Sequence, residues 1–165
     1  MKILQQIPRM DDNRLQKLFL NAQNMLLKNP SSDDASRVIG EIEKEWQRRL
    51  LAFHEGVYKA SSPEEGVLQA VGYKVGNDGL PARQRRALLE YILTRQLPPV
   101  GSPAYMAEWG AANTKERYRK LHRVIRVLAS RALTLGNMEK AACEWEEDLE
   151  FLDKTWKRRF YGNVE

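Results

Sequence analysis

The stretch from Asn113 to Trp156 constrains the fold more than any other. Apolar residues recur at Tyr118, Leu121, Ile125, Leu128, Ala132 and Leu135, and again at Met138, Ala142, Trp145, Leu149, Leu152 and Trp156. The steps are threes and fours, the spacing that gathers side chains on one face of an α-helix. Asn113 is placed to cap the first helix, with Glu116 at the capping-box position. Gly136 can take the left-handed conformation that stops a helix, and Asn137 can cap the next one. Neither stripe can stay in water. So short a connection predicts an antiparallel helical hairpin with the stripes in a shared core.

The remaining chain predicts helices as well. Asp11 or Asp12 opens one whose face is Leu15, Leu18, Phe19, Ala22 and Leu26, joined by Met25, and Asn29-Pro30 closes it. Ser31, Ser32 and Asp33 open the next, with Val38, Ile39, Ile42, Trp46, Leu50 and Phe53 inward and Glu41, Glu45, Arg48 and Arg49 off that face. It should fade near Gly56 or Tyr58. Ser62 as cap, Pro63 at the first helical position and Glu65 at the capping-box position predict a short helix reaching Val71. Tyr73 should pin the following loop to the core, and Asn77-Asp78-Gly79 is a turn signal. Pro81 opens a helix running to about Thr94, with Leu88, Leu89, Ile92 and Leu93 inward.

At the amino end, Ile3, Leu4 and Ile7 can pack a short arm, and Pro8 keeps Ile7 out of a regular helix. Pro98, Pro99, Gly101, Pro103 and Gly110 predict an ordered loop with one helical turn from Ser102-Pro103 to Trp109. The expected fold is all-α: a five- or six-helix orthogonal or up-down bundle built on the carboxy-terminal antiparallel hairpin. It reads as a single domain over 1–165, with a weak subdivision into a helical pair at 1–60 and a helical core at 61–165.

Charge is unevenly distributed. The chain of 165 residues carries a net charge of +5. Residues 1–62 hold ten basic and eight acidic groups, residues 63–136 twelve and six, and residues 137–165 five and eight. The basic middle is the expected footprint for a polyanion, DNA or RNA. Lys115, Arg119, Arg123 and Arg126 recur at fours and threes along one helix, and Arg83, Arg85 and Arg86 crowd the first turns of another. Cations at a helix start oppose its macrodipole, which suggests an external partner for them. Such a row contacts phosphates without reading sequence. The segment 63–71, the glycine-rich turn and 81–94 also make a loose helix-turn-helix, with the arginines at the start of the second helix.

Two further readings stand beside it. The acidic final helix carries Trp145, Glu146, Glu150 and Trp156, residues suited to a protein partner, and the basic middle and acidic end can pair between subunits of a homodimer. Arg117 and His122 form an Arg-x4-His arrangement in the basic helix, and Arg49 and His54 share its spacing. This arrangement resembles the motif of the HEPN family, all-helical proteins that often cleave RNA as dimers. The resemblance implies His122 as the acid–base group and Arg117 as the phosphate holder.

Other chemistry is not indicated. Two histidines and one cysteine, far apart, make no zinc pattern, and the carboxylates of the last helix read as solvated surface rather than a metal site. Cys143 lies beside Ala142 and reads as a small buried hydrophobe. A lone cysteine allows no internal disulfide. No glycine-rich phosphate loop suggests a nucleotide cofactor, and no cofactor is expected. The first residues lack the apolar run of a signal peptide, and no stretch approaches the length of a membrane span. The expectation is a small cytoplasmic, non-enzymatic protein that binds nucleic acid through a basic helix face, with no membrane association.

Overall fold

The computed structural model describes residues 2–60 and 65–162. Among these it is all-helical, with no strand. The helices are α1 (Lys2–Gln6), α2 (Asp12–Lys28), α3 (Asp33–His54), α4 (Val67–Ala70), α5 (Ala82–Thr94), α6 (Pro103–Ala107), α7 (Lys115–Thr134), α8 (Glu139–Thr155) and α9 (Lys157–Tyr161), with a 3-10 turn at Ile7–Arg9. The chain divides into two compact units. One is Met1–Gly72 with Gln96–Met106, and the other is Tyr73–Arg95 with Ala107–Glu165. The expected division near residue 60 falls inside the first unit, and the proline-rich loop is split between the two.

In the first unit α2 begins as its sequence dictates. The Asp11 carboxylate accepts a hydrogen bond from the Arg14 amide at 2.8 Å, satisfying a donor that the helix leaves open. Ser32 caps α3 in the same way. Leu15 and Phe19 of α2 and Ile39, Ile42 and Trp46 of α3 form the core, with the Phe19 and Trp46 rings 4.8 Å apart. Glu45 and Arg49 do not lie outside this face, as expected from the sequence, but inside it. Both are buried, and the guanidinium reaches Glu45 at 2.7 Å, Asp12 at 2.8 Å and the Met10 carbonyl at 2.5 Å. The cation is tolerated there because its donors all find acceptors. The Ser62–Pro63 cap lies outside the described residues. Gly66 is extended and helix α4 begins only at Val67, so the helix does not continue back through Glu65. Glu65 instead accepts a hydrogen bond from Gln16 at 2.8 Å.

In the second unit α7 packs along α8, with Leu121, Ile125 and Leu152 wholly enclosed. Three local details differ from expectation. Thr114, not Asn113, caps α7, its hydroxyl accepting from the Arg117 amide at 3.3 Å. Asn113 takes φ +60° and serves the end of α5 instead, donating from its amide to Leu93 and from its side chain to Thr94. Gly136 is not among the left-handed glycines. Helix α7 closes earlier, where the Leu135 amide turns back to Ala132 in a tighter i−3 bond. No side chain caps α8, so Asn137 does not fill that role; Met138 stands at the cap position.

Helix α5 opens at Pro81 and α6 at Ser102, whose hydroxyl accepts from the Tyr105 amide at 3.1 Å. Cys143 is exposed rather than buried, because Ala141 and Ala142, not Cys143, face the core.

Candidate functional site

Among the described residues of the second unit, two arrangements of charge are buried and others open to solvent along α7. The first is built on Arg85. This side chain is 3% exposed, and so is removed from the basic surface expected of it. Its Nε lies 2.9 Å from Asp148 Oδ2, and its two Nη atoms reach Glu144 at 2.9 Å, Glu147 at 3.2 Å and the Leu80 carbonyl at 2.9 Å. Asp148 is fully buried and also accepts from the Tyr73 hydroxyl at 2.5 Å. Burial and the adjacent carboxylate push the Tyr73 hydroxyl well above its ordinary pKa. The partner of this arginine is therefore internal. A residue so held cannot read base edges, so of the three arginines at the start of α5 only Arg83 and Arg86 remain exposed.

The second is Arg117. Its guanidinium is 5% exposed and meets no carboxylate. It donates instead to backbone carbonyls: Ile92 at 2.6 Å and Arg95 at 3.0 Å at the end of α5, and Trp109 at 3.1 Å and Gly110 at 2.9 Å beyond α6. These are the open acceptors of helix ends, where the backbone dipole favours a cation. Burial pulls the pKa down from 12.5 to about 10. With every arm committed to the backbone, Arg117 is not placed to hold a phosphate beside His122. Arg49 of the second Arg-x4-His pair is buried too, but on the carboxylates of Glu45 and Asp12. At neither pair is the arginine open to solvent beside its histidine.

The third arrangement is open. Turns of α7 present Arg119, His122, Arg123 and Arg126 toward Asp153 of α8 and Lys157 and Tyr161 of α9, around a groove of about 360 Å³. Arg119, Arg123, Arg126 and Lys157 are exposed, and none of the four is held in an ion pair among the described residues. Asp153 is the one carboxylate lining the groove. Its Oδ1 lies 3.1 Å from both the Tyr118 hydroxyl and His122 Nε2. A carboxylate accepts only, so Nε2 carries the proton in this contact. Burial first, and then Asp153, raise the Tyr118 hydroxyl above its ordinary pKa. The rings of Phe160 and Tyr161 pack on Tyr118 at 5.5 Å and 5.9 Å, which fixes α9 against α7.

The other residues singled out from the sequence do not line this groove. Lys115 is exposed and lies 4.3 Å over the Tyr161 ring. Arg83 and Arg86 are exposed, the latter stacked on Phe151 at 5.3 Å. Lys120 is bound to Glu108. Of the acidic and tryptophan set, Glu146 and Glu150 are exposed, with Glu150 paired to Lys154 at 2.5 Å. Trp145 is buried and cannot anchor an outside partner, and Trp156 is half-buried beneath Arg159 at 5.2 Å. Lys157, Tyr161 and Asp153 were not foreseen as site residues. The available signal is the step of four that joins Asp153, Lys157 and Tyr161.

No group of three or more histidines, cysteines or carboxylates suited to a metal occurs among the described residues. No described helix is long and apolar enough to cross a membrane. The chain matches no protein family, no curated protein and no solved structure.

Proposed function

We propose that this chain is a non-enzymatic cytoplasmic protein that binds nucleic acid through the groove beside α7. The observation that carries the reading is the convergence of Arg119, Arg123, Arg126 and Lys157 on one open groove whose only carboxylate is already bonded to Tyr118 and His122. Glu108 and Glu116 lie beside Arg119 and Arg123 in the adjoining groove, yet neither is within ion-pair distance of them among the described residues, so the four cations keep a net repulsion that a bound polyanion relieves. Arginine forks suit phosphate oxygens. Lys115, over the Tyr161 ring, adds a further cation beside the groove; Arg83 and Arg86, exposed on α5, are proposed as further phosphate contacts. We also infer that α7 and α8 are the antiparallel hairpin on which a bundle is organised, since the start of α7 and the end of α8 together supply the groove.

The experiment is binding of a labelled oligonucleotide over a range of salt concentrations. Binding at low salt that weakens steeply as salt rises is expected. The combined change Arg119→Gln, Arg123→Gln and Arg126→Gln should lower the slope of log K against log salt by about 2 to 3, with helicity unchanged by circular dichroism. Absence of binding at low salt, or undiminished binding by the triple variant, refutes the reading.

A further inference from the structure

The groove joins its cations to an aromatic wall, and this distinguishes one form of nucleic acid from another. Resting on the reading above, we propose that the ligand is a single strand, with its phosphates along Arg119, Arg123 and Arg126 and one unpaired base laid against Tyr161.

Three observations lead there. Arg119 to Arg126 spans seven residue steps of α7, about 10 Å of helix axis. That length serves two or three successive phosphates of one strand. It is shorter than the separation of the two backbones that frame a major groove, about 12 Å. The groove, at about 360 Å³, has the size of a pocket for a small molecule or a single nucleotide rather than of a surface that receives a rod. Tyr161 lines it and is half-buried, with its ring held edge-on by Tyr118 and with Lys115 over one face.

An aromatic ring fixed in this way can stack on a base only if that base presents a free face. In a duplex those faces are already stacked on each other, so the ring would gain nothing. Stacking of a base on an aromatic side chain tolerates any sequence. The cation over one face of Tyr161 helps to order the ring before the ligand arrives and leaves the other face for a base, and Arg159 does not compete for it, being engaged with Trp156 and Phe160. Tyr118 is unsuited to the same role: its ring is buried and its hydroxyl is committed to Asp153.

The test compares short oligo-uridine, oligo-thymidine and a blunt duplex of equal length at one low salt concentration, by fluorescence anisotropy. Both single strands should bind more tightly than the duplex. Tyr161→Ala should weaken single-strand binding about fivefold or more and leave the salt slope unchanged, because no phosphate contact is lost. Tyr161→Phe should bind like the parent chain, since it keeps the ring. That variant also separates stacking from any effect on the fold. Duplex binding equal to or tighter than single-strand binding overturns the inference while leaving nucleic-acid binding intact. So does Tyr161→Ala binding at parental strength. Failure of all three probes to bind at low salt instead removes the reading on which the inference rests. If oligo-uridine exceeds oligo-thymidine, the ligand is RNA within the same class.

Discussion

Arg117 is the residue whose environment departs furthest from what its type prefers. A buried cation without a counter-charge is costly to hold, and its lowered pKa records that cost. From about pH 10 up to the ordinary arginine range the unfolded chain binds a proton that the folded one does not, so this group makes stability rise with pH in that window. What retains it is the set of carbonyls it closes. Arg117→Met should strand several of them and destabilise the chain by about 3 kcal/mol or more in urea unfolding, given about 1–3 kcal/mol for each buried polar group left unpaired. Arg117→Lys should recover only part of this loss, because an ammonium cannot fan out to carbonyls at the ends of two helices. A lysine variant as stable as the parent would show that charge alone suffices. Glu45 makes the opposite case. Burial pushes its pKa up, but the hydrogen bonds and charges of Arg48 and Arg49 outweigh burial and hold it below 4.5. A carboxylate with a lowered folded pKa contributes stability above its unfolded pKa and loses it as pH falls through the folded value. The stability gap between the parent and Glu45→Gln should therefore be full near neutrality and shrink below about pH 4, as unfolding curves across that range will report.

The buried pair of Arg85 and Asp148 belongs to the scale of elements, for it ties α5 to α8. Breaking a buried ion pair from one side leaves an uncompensated charge and costs about 3–5 kcal/mol. Arg85→Met and Asp148→Leu should each show a loss of that order, and the double variant should recover most of it, giving a clear coupling in a double-mutant cycle. Additive losses would mean that the two groups act separately. The same pair explains how far the sequence could be read. Helix existence was legible from the stripes and the Asp11, Ser32 and Pro81 starts, because apolar periodicity and local caps act within a few residues. The buried charges were not, although they occupy stripe positions: Arg85 precedes Leu88, Leu89 and Ile92, Asp148 sits between Trp145 and Leu152, and Glu45 and Arg49 fall among Ile42, Trp46 and Phe53. A charge in a stripe position, matched by an opposite charge in another stripe, is the signal that was passed over. Reading all basic residues at the start of α5 as surface makes Arg85 part of the basic footprint, and the Arg-x4-His spacing alone brings in Arg117. Arg119, Arg123 and Arg126, off the stripe, were placed on the open face by period alone. The contributions of Asp153, Lys157 and Tyr161 depend on how α8 and α9 meet α7, which no local pattern encodes.

At the scale of the whole molecule, the chain passes between its two units three times, at 72–73, 95–96 and 106–107. Neither unit is a continuous segment, and this limits how the protein can be divided. A fragment spanning 73–165 would keep both pieces of the second unit but would also carry 96–106 away from the rest of the first. That segment holds Leu97, Val100 and Met106, all buried, and its Gln96 amide lies 3.4 Å from Glu43. The hydroxyl of its Tyr105 accepts from the Val67 amide at 3.1 Å. In the fragment these apolar side chains would face water, at about 1.5–3 kcal/mol for each large one left exposed. The second unit retains its groove residues, the Arg85 and Asp148 pair and the Arg117 carbonyl contacts, so helix content should persist. The fragment is therefore expected to be helical by circular dichroism, to bind a hydrophobic dye that the full chain does not, and to unfold at a lower temperature than the corresponding transition of the full chain. Substituting Leu97, Val100 and Met106 with polar residues should remove the dye binding in the fragment and destabilise the full chain, because the same three side chains are a liability in one context and core in the other. A fragment that unfolds at the parental temperature with no dye binding would mean that the loop folds back on the second unit, and that the two-unit division does not describe how the chain is stabilised.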